Sequence, residues 1–242
     1  MYFELTEEQL MIKQAARDFA QNVLKPGVID RDREMRYPYE EVKQMGELGF
    51  LGMMVSPEYG GGGMDTMSYV LAMEEISKVD SSCSVIMSVN NSLVCWGLEQ
   101  FGSEEQKRKY LPDLASGKKI GAFCLSEPEA GSDATSQRTT AEDKGDYYLL
   151  NGTKNWITNG GTAIIYLVMA QTSVEKGHKG INCLIVEKGM DGFIVGAKED
   201  KLGMRASETG EVIFDNCVVS KDAILGNVGD GFIQAMKSLD GG

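Results

Sequence analysis

Residues 123–133 of this chain read FCLSEPEAGSD, and residues 155–161 read NWITNGG. The first segment starts as an apolar strand, breaks at a proline and continues as a loop of small residues, whose backbone N–H groups can close around an anion. The second segment sets the indole of Trp156 near the hydroxyl of Thr158. A flat, electron-poor ring with hydrogen-bonding edges needs an apolar platform and a few aimed polar groups. Together, the two segments therefore indicate a site for a flavin.

The order of the two segments carries more information than either one alone, because Gly-Ser-Asp is common in turns and a strand tryptophan usually belongs to the core. At these residues the chain resembles the acyl-CoA dehydrogenase family, whose middle domain has Ser or Thr before Glu-Pro and closes the loop with Gly-Ser-Asp. The resemblance continues through 201–209, KLGMRASET, and 212–219, VIFDNCVV, and covers essentially the whole chain. It implies a helical N-terminal domain, a β middle domain and a four-helix C-terminal domain.

Helical patterns dominate the chain up to about residue 118. Thr6 and Gln9 have the spacing of a capping box, and apolar residues then recur at helical intervals until Pro26. Another helix is predicted to start near Asp65 and to place an apolar stripe in the core. The residues of this stripe are Val70, Met73, Ile76 and Val79. Further helices are predicted over residues 39–48 and 82–101, and from residue 103.

After Lys119 the apolar pattern shortens to that of strands. Turn signals such as Asn151-Gly152 separate the strands at the spacing of an antiparallel barrel or sandwich, rather than of repeated βαβ units. The fold class is therefore α+β, and the flavin site is not a Rossmann fold. The predicted strands are residues 120–125, 147–150, 163–169, 181–186 and 211–214. The predicted domains are a helical domain at 1–118, a middle β domain with the flavin and substrate site at 119–227, and the start of a C-terminal helical domain at 228–242.

The composition argues against several classes of function. A formal net charge of −12 would repel nucleic acid and anionic membranes, and no apolar run reaches the roughly 18 residues of a membrane span. Five cysteines, an odd number without C-x-x-C spacing, predict reduced and buried thiols. Because the N-terminus also lacks a secretory or transit pattern, a cytoplasmic enzyme is favoured. The only histidine, His178, lies in a polar loop, which leaves little for a zinc site or a Ser-His triad.

The resemblance implies a reaction, the FAD-dependent α,β-dehydrogenation of an acyl-CoA thioester to the trans-2-enoyl-CoA. In it, a carboxylate removes the α-hydrogen as a proton while the β-hydrogen leaves as a hydride to the flavin. An electron-transfer flavoprotein is implied as the partner that takes the electrons, and a homotetramer as the assembly. In general likeness, the chain is most similar to the short-chain, butyryl-CoA type of the family.

The resemblance also implies which residues bind the cofactor. Leu125 and Ser126 would face the pyrimidine edge of the flavin, whereas Trp156 would form a wall against the ring. Thr158 would approach flavin N5, and Ser132 would lie near the pyrophosphate and the pantetheine arm of the substrate. Ser126 and Thr158 could instead be strand residues whose hydroxyls are satisfied within the protein. The full implied set is Phe123, Leu125, Ser126, Gly131, Ser132, Trp156, Ile157 and Thr158.

Substrate contacts are implied at three positions, of which Ser132 is shared with the cofactor. Glu99 and the preceding stretch would line the cavity for the acyl tail. Arg205 could serve either a phosphate or a subunit partner. Glu127 and Asp133 are interpreted as turn-capping carboxylates rather than as a catalytic pair.

No catalytic base is assigned within the chain. In the family the base is a glutamate of the C-terminal domain, and residues 238–242, SLDGG, resemble the opening of that domain. The position that a minority of members use for the base corresponds to Gly242, so the base is expected beyond Gly242 and this chain alone is expected to be inactive. Two alternatives stay open. One is a truncated or split fragment that binds FAD or acyl-CoA without catalysis, and the other is an acyl-CoA oxidase on the same fold.

Overall fold

The computed structural model describes residues 4–241, and its first half is helical. Two π-helical turns, Ala20–Leu24 and Val89–Cys95, continue helices that would otherwise end. The first seven helices are α1 Glu7–Phe19, α2 Val28–Glu34, α3 Tyr39–Glu47, α4 Thr66–Ser77, α5 Ser81–Ser88, α6 Trp96–Phe101 and α7 Glu104–Ala115.

The helix starts follow the capping residues in the sequence. Gln9 N–H donates to the Thr6 hydroxyl at 3.2 Å and Thr6 N–H donates to the Gln9 side chain at 3.1 Å, which confirms the capping box of α1. Ser103 and Gln106 form the same reciprocal pair at the start of α7. Asp65 caps α4, because its carboxylate accepts the N–H of Ser68 at 2.7 Å. Local hydrogen bonds therefore fix where these helices begin.

The predicted stripe of α4 is correct except at Val70. Ile76 is fully buried and Met73 and Val79 pack against the same core, whereas Val70 is 50% exposed. Tyr69 and Ala72 are buried as well, because α4 packs on both α1 and α5 and buries a wider face than a single stripe. The predicted helix over 82–101 is confirmed, since α5, the π-helical turn and α6 follow one another without a break.

The second half forms one curled sheet, followed by α8, Gly231–Asp240. The strands are β1 Gly121–Cys124, β2 Thr140–Asp143, β3 Tyr147–Thr158, β4 Ile165–Gln171, β5 Ile181–Glu187, β6 Phe193–Lys198 and β7 Thr209–Ser220. Their order in the sheet is β1-β4-β2-β3-β7-β6, with β5 paired to β4. The α+β class is confirmed, but the sheet is mixed rather than wholly antiparallel, since β4 runs parallel to β1 and to β2.

An apolar cluster joins the helices to the sheet. It packs Val94 and Leu98 of the helical part against Leu167 of β4 and Ala235 of α8. The contact is close at Gly121, where a Cβ atom would lie 2.5 Å from a Val94 methyl group. The start of β1 is therefore held directly against the helices, which sets the position of the loop that follows β1.

Asn90 makes this junction specific. Its amide group donates to the carbonyls of Leu51 and Leu114 at 2.9 and 3.1 Å, and its Oδ1 accepts the N–H of Gly121 at 3.0 Å. The side chain is fully buried, so these bonds satisfy polar groups that water cannot reach. Within residues 4–241, no helix is long and apolar enough to cross a membrane.

Candidate functional site

The candidate site begins at a β-bulge in β3. Lys154 pairs with Val212 of β7 and Ile157 pairs with Gly210, so Asn155 and Trp156 together face a single residue of β7. Trp156 has a φ of 55°, in the left-handed region that bulky residues rarely adopt. Its N–H donates to the Asn155 side chain at 3.0 Å. The extra residue redirects the strand, as bulges near functional sites do.

The bulge exposes the indole and buries its neighbour. Trp156 is 54% exposed, whereas Ile157 is 2% exposed. Keeping a tryptophan in this backbone conformation costs on the order of 1–3 kcal/mol. Burial in the core does not offset that cost, because the indole is exposed. The main effect of the bulge is therefore to present the indole face to solvent.

The segment after β1 lies beside this bulge. Asn155 N–H donates to the Ser126 carbonyl at 2.9 Å, which joins the two segments directly. Leu125 and Ser126 are half-buried, as is Phe123 within β1. The structure thus brings Leu125 and Ser126 next to Trp156.

Thr158 completes this group at the end of β3. It is half-buried and pairs with Thr209 of β7. The next residue, Asn159, donates from its side chain to the Gly121 carbonyl at 3.1 Å, and this bond ties the end of β3 to the start of β1. The predicted cofactor residues of β1 and β3 therefore form one contiguous region.

The loop that follows Ser126 is a tight turn with an open tip. Glu127 and Ala130 exchange backbone hydrogen bonds of 3.0 and 3.1 Å. Gly131 and Ser132 are exposed beyond this turn, and a Cβ atom on Gly131 would meet nothing within 4 Å. As predicted, Asp133 caps the following turn, accepting from the N–H of Thr135 at 3.2 Å and from the Thr135 hydroxyl at 2.6 Å.

Lys154 is a central residue that the sequence analysis did not identify. Its ammonium is fully buried and contacts Glu127 at 2.7 Å, the Leu125 carbonyl at 3.0 Å and Gln137 at 3.2 Å. Glu127 also accepts the N–H groups of Arg138 and Thr139 at 2.5 and 3.0 Å. Strand parity was an available signal, because Lys154 shares the inward alternation of Tyr148 and Leu150.

The surroundings shift the pKa values of both members of this pair. Burial lowers the pKa of Lys154, although the Glu127 carboxylate opposes that change. Burial acts to raise the pKa of Glu127, but the Lys154 ammonium and the N–H donors outweigh it and hold that pKa below its ordinary value. The two groups lie 2.7 Å apart, which is the geometry of a buried ion pair.

Glu99 and Arg205 form their hydrogen bonds with residues outside the region around Trp156. The Glu99 carboxylate accepts the N–H of Ser56 at 3.0 Å, which fastens a loop of the helical half to α6. Arg205 N–H donates to Asp32 at 2.8 Å, and the guanidinium contacts Asp200 at 2.8 Å. Within residues 4–241, neither side chain makes a hydrogen bond to the Trp156 region, and their substrate roles stay predictions. Gly242, the position compared with a family base, lies outside the described residues.

The arrangement fits a flavin ring. An exposed indole offers a flat apolar face, and the half-buried Leu125–Ser126 segment beside it offers peptide groups and a hydroxyl. The open tip at Gly131 leaves space for a bulky extension such as a pyrophosphate. These are the two kinds of surface that a large planar cofactor needs.

Two family models match the sequence over most of its length. The model of the acyl-CoA dehydrogenase N-terminal domain matches residues 6–118. The model of the acyl-CoA dehydrogenase middle domain matches residues 122–217. Both are parts of one family, and they occur in the order that the resemblance implies.

Known proteins agree with the family models. A short-chain specific acyl-CoA dehydrogenase of Clostridium acetobutylicum is 48% identical over 242 residues, which is 100% of this chain and 64% of that relative. The structure of butyryl-CoA dehydrogenase from Megasphaera elsdenii matches with a TM-score of 0.97 at 43% identity, covering 100% of this chain and 64% of that one. A chain in the structure described for the electron transferring flavoprotein of Acidaminococcus fermentans matches with a TM-score of 0.98 at 49% identity, covering 100% and 63%.

The present chain thus spans less than two thirds of the length of these relatives. Within that span, the helical half and the curled sheet follow the same fold as these structures along the whole chain. The chain therefore belongs to the acyl-CoA dehydrogenase family, with matches to its N-terminal and middle domains.

Proposed function

We propose that the protein is an FAD-dependent acyl-CoA dehydrogenase that converts a short-chain, butyryl-CoA-like thioester to its trans-2-enoyl-CoA. The observation that carries this proposal is the bulge of β3, which presents the Trp156 indole beside Leu125 and Ser126. The short-chain and butyryl-CoA descriptions of the relatives support the substrate class.

In this proposal the chain supplies one wall and one edge of the flavin site. Trp156 would cover a face of the ring, and Thr158, two residues further along the strand, would approach N5. Leu125 and Ser126 would donate to the pyrimidine edge, where negative charge accumulates on reduction. Phe123 and Ile157 would support these residues by packing. Ser132, at the exposed loop tip, would meet the pyrophosphate and the pantetheine arm.

Bound FAD would supply the hydride acceptor for the β-hydrogen. The acidity of the α-hydrogen depends on polarisation of the thioester carbonyl in a site from which water is excluded. No residue of this chain is proposed as the base. Glu127 is unsuitable, because its carboxylate is committed to Lys154 and to two backbone N–H groups.

The partner, the assembly and the compartment are also proposals. An electron-transfer flavoprotein would accept the electrons, as the relative in the Acidaminococcus structure suggests. The family tetramer is proposed for the assembly, and Glu99 and Arg205 for further substrate contacts. A cytoplasmic location agrees with five cysteines that are buried as free thiols. The domain limits at residues 118 and 227 are also part of this proposal.

The first measurement is the intact mass of the protein from its native source, compared with the 26.4 kDa of this chain. The protein of the mass found there is then mixed with FAD, butyryl-CoA and an artificial electron acceptor. If that protein is substantially heavier than 26.4 kDa, we expect FAD to bind and the electron acceptor to be reduced in step with crotonyl-CoA formation. Binding of FAD without turnover would instead support the alternative, a fragment that binds cofactor or substrate without catalysis. Release of hydrogen peroxide in air would support an oxidase.

A further inference from the structure

Lys154 of β3 connects the two segments of the candidate site, the one after β1 and the bulge of β3, from the buried side. It immediately precedes the bulge, and its three ammonium hydrogens have three acceptors: the Leu125 carbonyl, Glu127 and Gln137. Because every donor is used and the side chain is fully buried, Lys154 has nothing left to offer a ligand. Any role in the site must therefore be exerted through the residues that it holds.

Stability alone does not account for this ion pair. Moving an ammonium and a carboxylate out of water is costly, and well-packed apolar side chains of similar volume are often as stable or more stable. The bonds that Lys154 makes are specific in direction, and one of them ends on the main chain at Leu125. This suggests that the orientation of that main chain is what the pair provides.

The bond to Leu125 fixes the direction of a neighbouring N–H group. In a planar trans peptide, the C=O of one residue and the N–H of the next point in opposite directions. Since the Leu125 carbonyl is turned toward the buried ammonium, the N–H of Ser126 points away from it. Among the backbone hydrogen bonds between residues 4–241, the N–H of Ser126 donates to no carbonyl. It is left free to donate to a ligand.

Glu127 extends the same control to a third segment. Its carboxylate accepts from Lys154 on β3 and from the N–H groups of Arg138 and Thr139, which lead into β2. One carboxylate therefore connects the turn after β1 with two neighbouring strands. Its N–H donors and the ammonium hold the turn in a single orientation.

We propose that Lys154 and Glu127 are a positioning pair that aims the Ser126 N–H and the Trp156 bulge at one ligand. The inference rests on the proposed flavin site and deepens it, because it assigns the geometry of the polar edge to two residues whose charged groups face inward. Loss of the pair would leave the residues of the site in place but release their mutual orientation.

The test uses four variants of the chain in a Trp96→Phe background, which leaves Trp156 as the only tryptophan. They are Lys154→Met, Glu127→Gln, the double variant, and the control Lys144→Met, which removes an exposed lysine that pairs with Glu142 at 2.6 Å. Three quantities are measured: amide hydrogen exchange without FAD, the dissociation constant of FAD from quenching of Trp156, and the urea unfolding midpoint.

We expect Lys154→Met to lower the midpoint and to speed exchange at the Asn155 amide at least tenfold, since that amide bonds to Ser126. The double variant, which leaves no buried charge unpaired, should regain most of the midpoint. Its FAD affinity should stay at least tenfold weaker than that of the parent. The Lys144→Met control should match the parent in all three measurements.

Two results would overturn the inference: unchanged exchange at Asn155 in both Lys154 variants, or FAD affinity that recovers together with the midpoint in the double variant. The second result would mean that the pair acts only through stability. Failure of the parent chain to bind FAD would count against the proposed function. The exchange data, which need no flavin, would still decide whether the pair orients the two segments.

Discussion

Within residues 4–241 two cationic side chains are buried, one in each half, and they contact different kinds of groups. Arg31 of α2 is 2% exposed and contacts Asp80 at 2.9 Å and Glu41 at 2.7 Å, so it links three parts of the helical half. Lys154 of β3 contacts Glu127 and the main chain at Leu125, both beside the candidate site. The first cluster holds elements of the helical half together, including the main chain at Leu24, to whose carbonyl Arg31 donates at 2.5 Å. The second holds a peptide group beside the candidate site. We therefore expect the Arg31 cluster to act mainly on stability and the Lys154 cluster to act also on FAD binding.

Removal of Arg31 should have the largest effect on stability. Arg31→Met leaves the Asp80 carboxylate, which is 2% exposed, without its cation. Loss of one partner of a buried ion pair costs about 3–5 kcal/mol. Urea unfolding of the variant should show this loss, while the FAD affinity of the folded fraction should stay within about twofold of the parent. A tenfold weaker FAD affinity would erase the distinction between the two clusters.

Replacement of Trp156 should give the opposite result. Trp156→Gly removes an exposed indole and relieves a left-handed backbone, so the free energy of unfolding should stay equal or rise by about 1 kcal/mol. FAD affinity should fall about 5- to 150-fold, because an aromatic face contributes about 1–3 kcal/mol when a planar ligand stacks on it.

The matched control is Trp96→Phe. Trp96 is half-buried in a regular helix and packs edge-on against Phe101, with ring centroids 5.6 Å apart. It should lose some stability and keep its FAD affinity. If Trp156→Gly instead destabilised the fold more than Trp96→Phe, the bulge would be a packing feature rather than a binding one.

The acid dependence of stability should carry a contribution from Glu127. Its folded pKa is below the unfolded value, so the stabilisation is complete above the unfolded pKa and is lost as pH falls through the folded pKa. One carboxylate contributes at most about 1.4 kcal/mol per pH unit. Urea midpoints between about pH 5 and 3 should therefore fall less steeply in Glu127→Gln than in the parent. Parallel curves would mean that Glu127 is not held in its charged form by Lys154.

The sequence pattern predicted the fold class and most elements because these depend on local signals. Capping residues located α1, α4 and α7, and apolar runs located five strands. The strands β2 and β6 were missed, since their residues are mostly polar or exposed. The parallel pairing of β1 with β4 was missed because it joins residues about forty positions apart, and nothing local records it.

For the candidate site, the sequence indicated which residues take part but not how they are held. The two motifs named Leu125, Ser126 and Trp156, and the structure places them side by side. The left-handed backbone of Trp156 has no local signal, because neither bulge residue is a glycine. Lys154 went unnoticed because a lysine in a strand usually faces solvent, and only strand parity marks it as buried.

The smallest predicted effect separates the hydroxyl of Ser126 from its main chain. If the pair at Lys154 aims the Ser126 N–H, then Ser126→Ala keeps that donor and removes only the side-chain oxygen. One hydrogen bond contributes about 0.5–1.5 kcal/mol, so FAD affinity should weaken by about two- to tenfold and the unfolding midpoint should stay the same. Ser126→Pro removes the N–H itself, and the preceding carbonyl can still face Lys154. A larger loss of affinity in the proline variant than in the alanine variant would place the recognition in the main chain. Equal losses would assign the recognition of FAD to the hydroxyl. Lys154 would then affect FAD binding only through the bulge at Trp156.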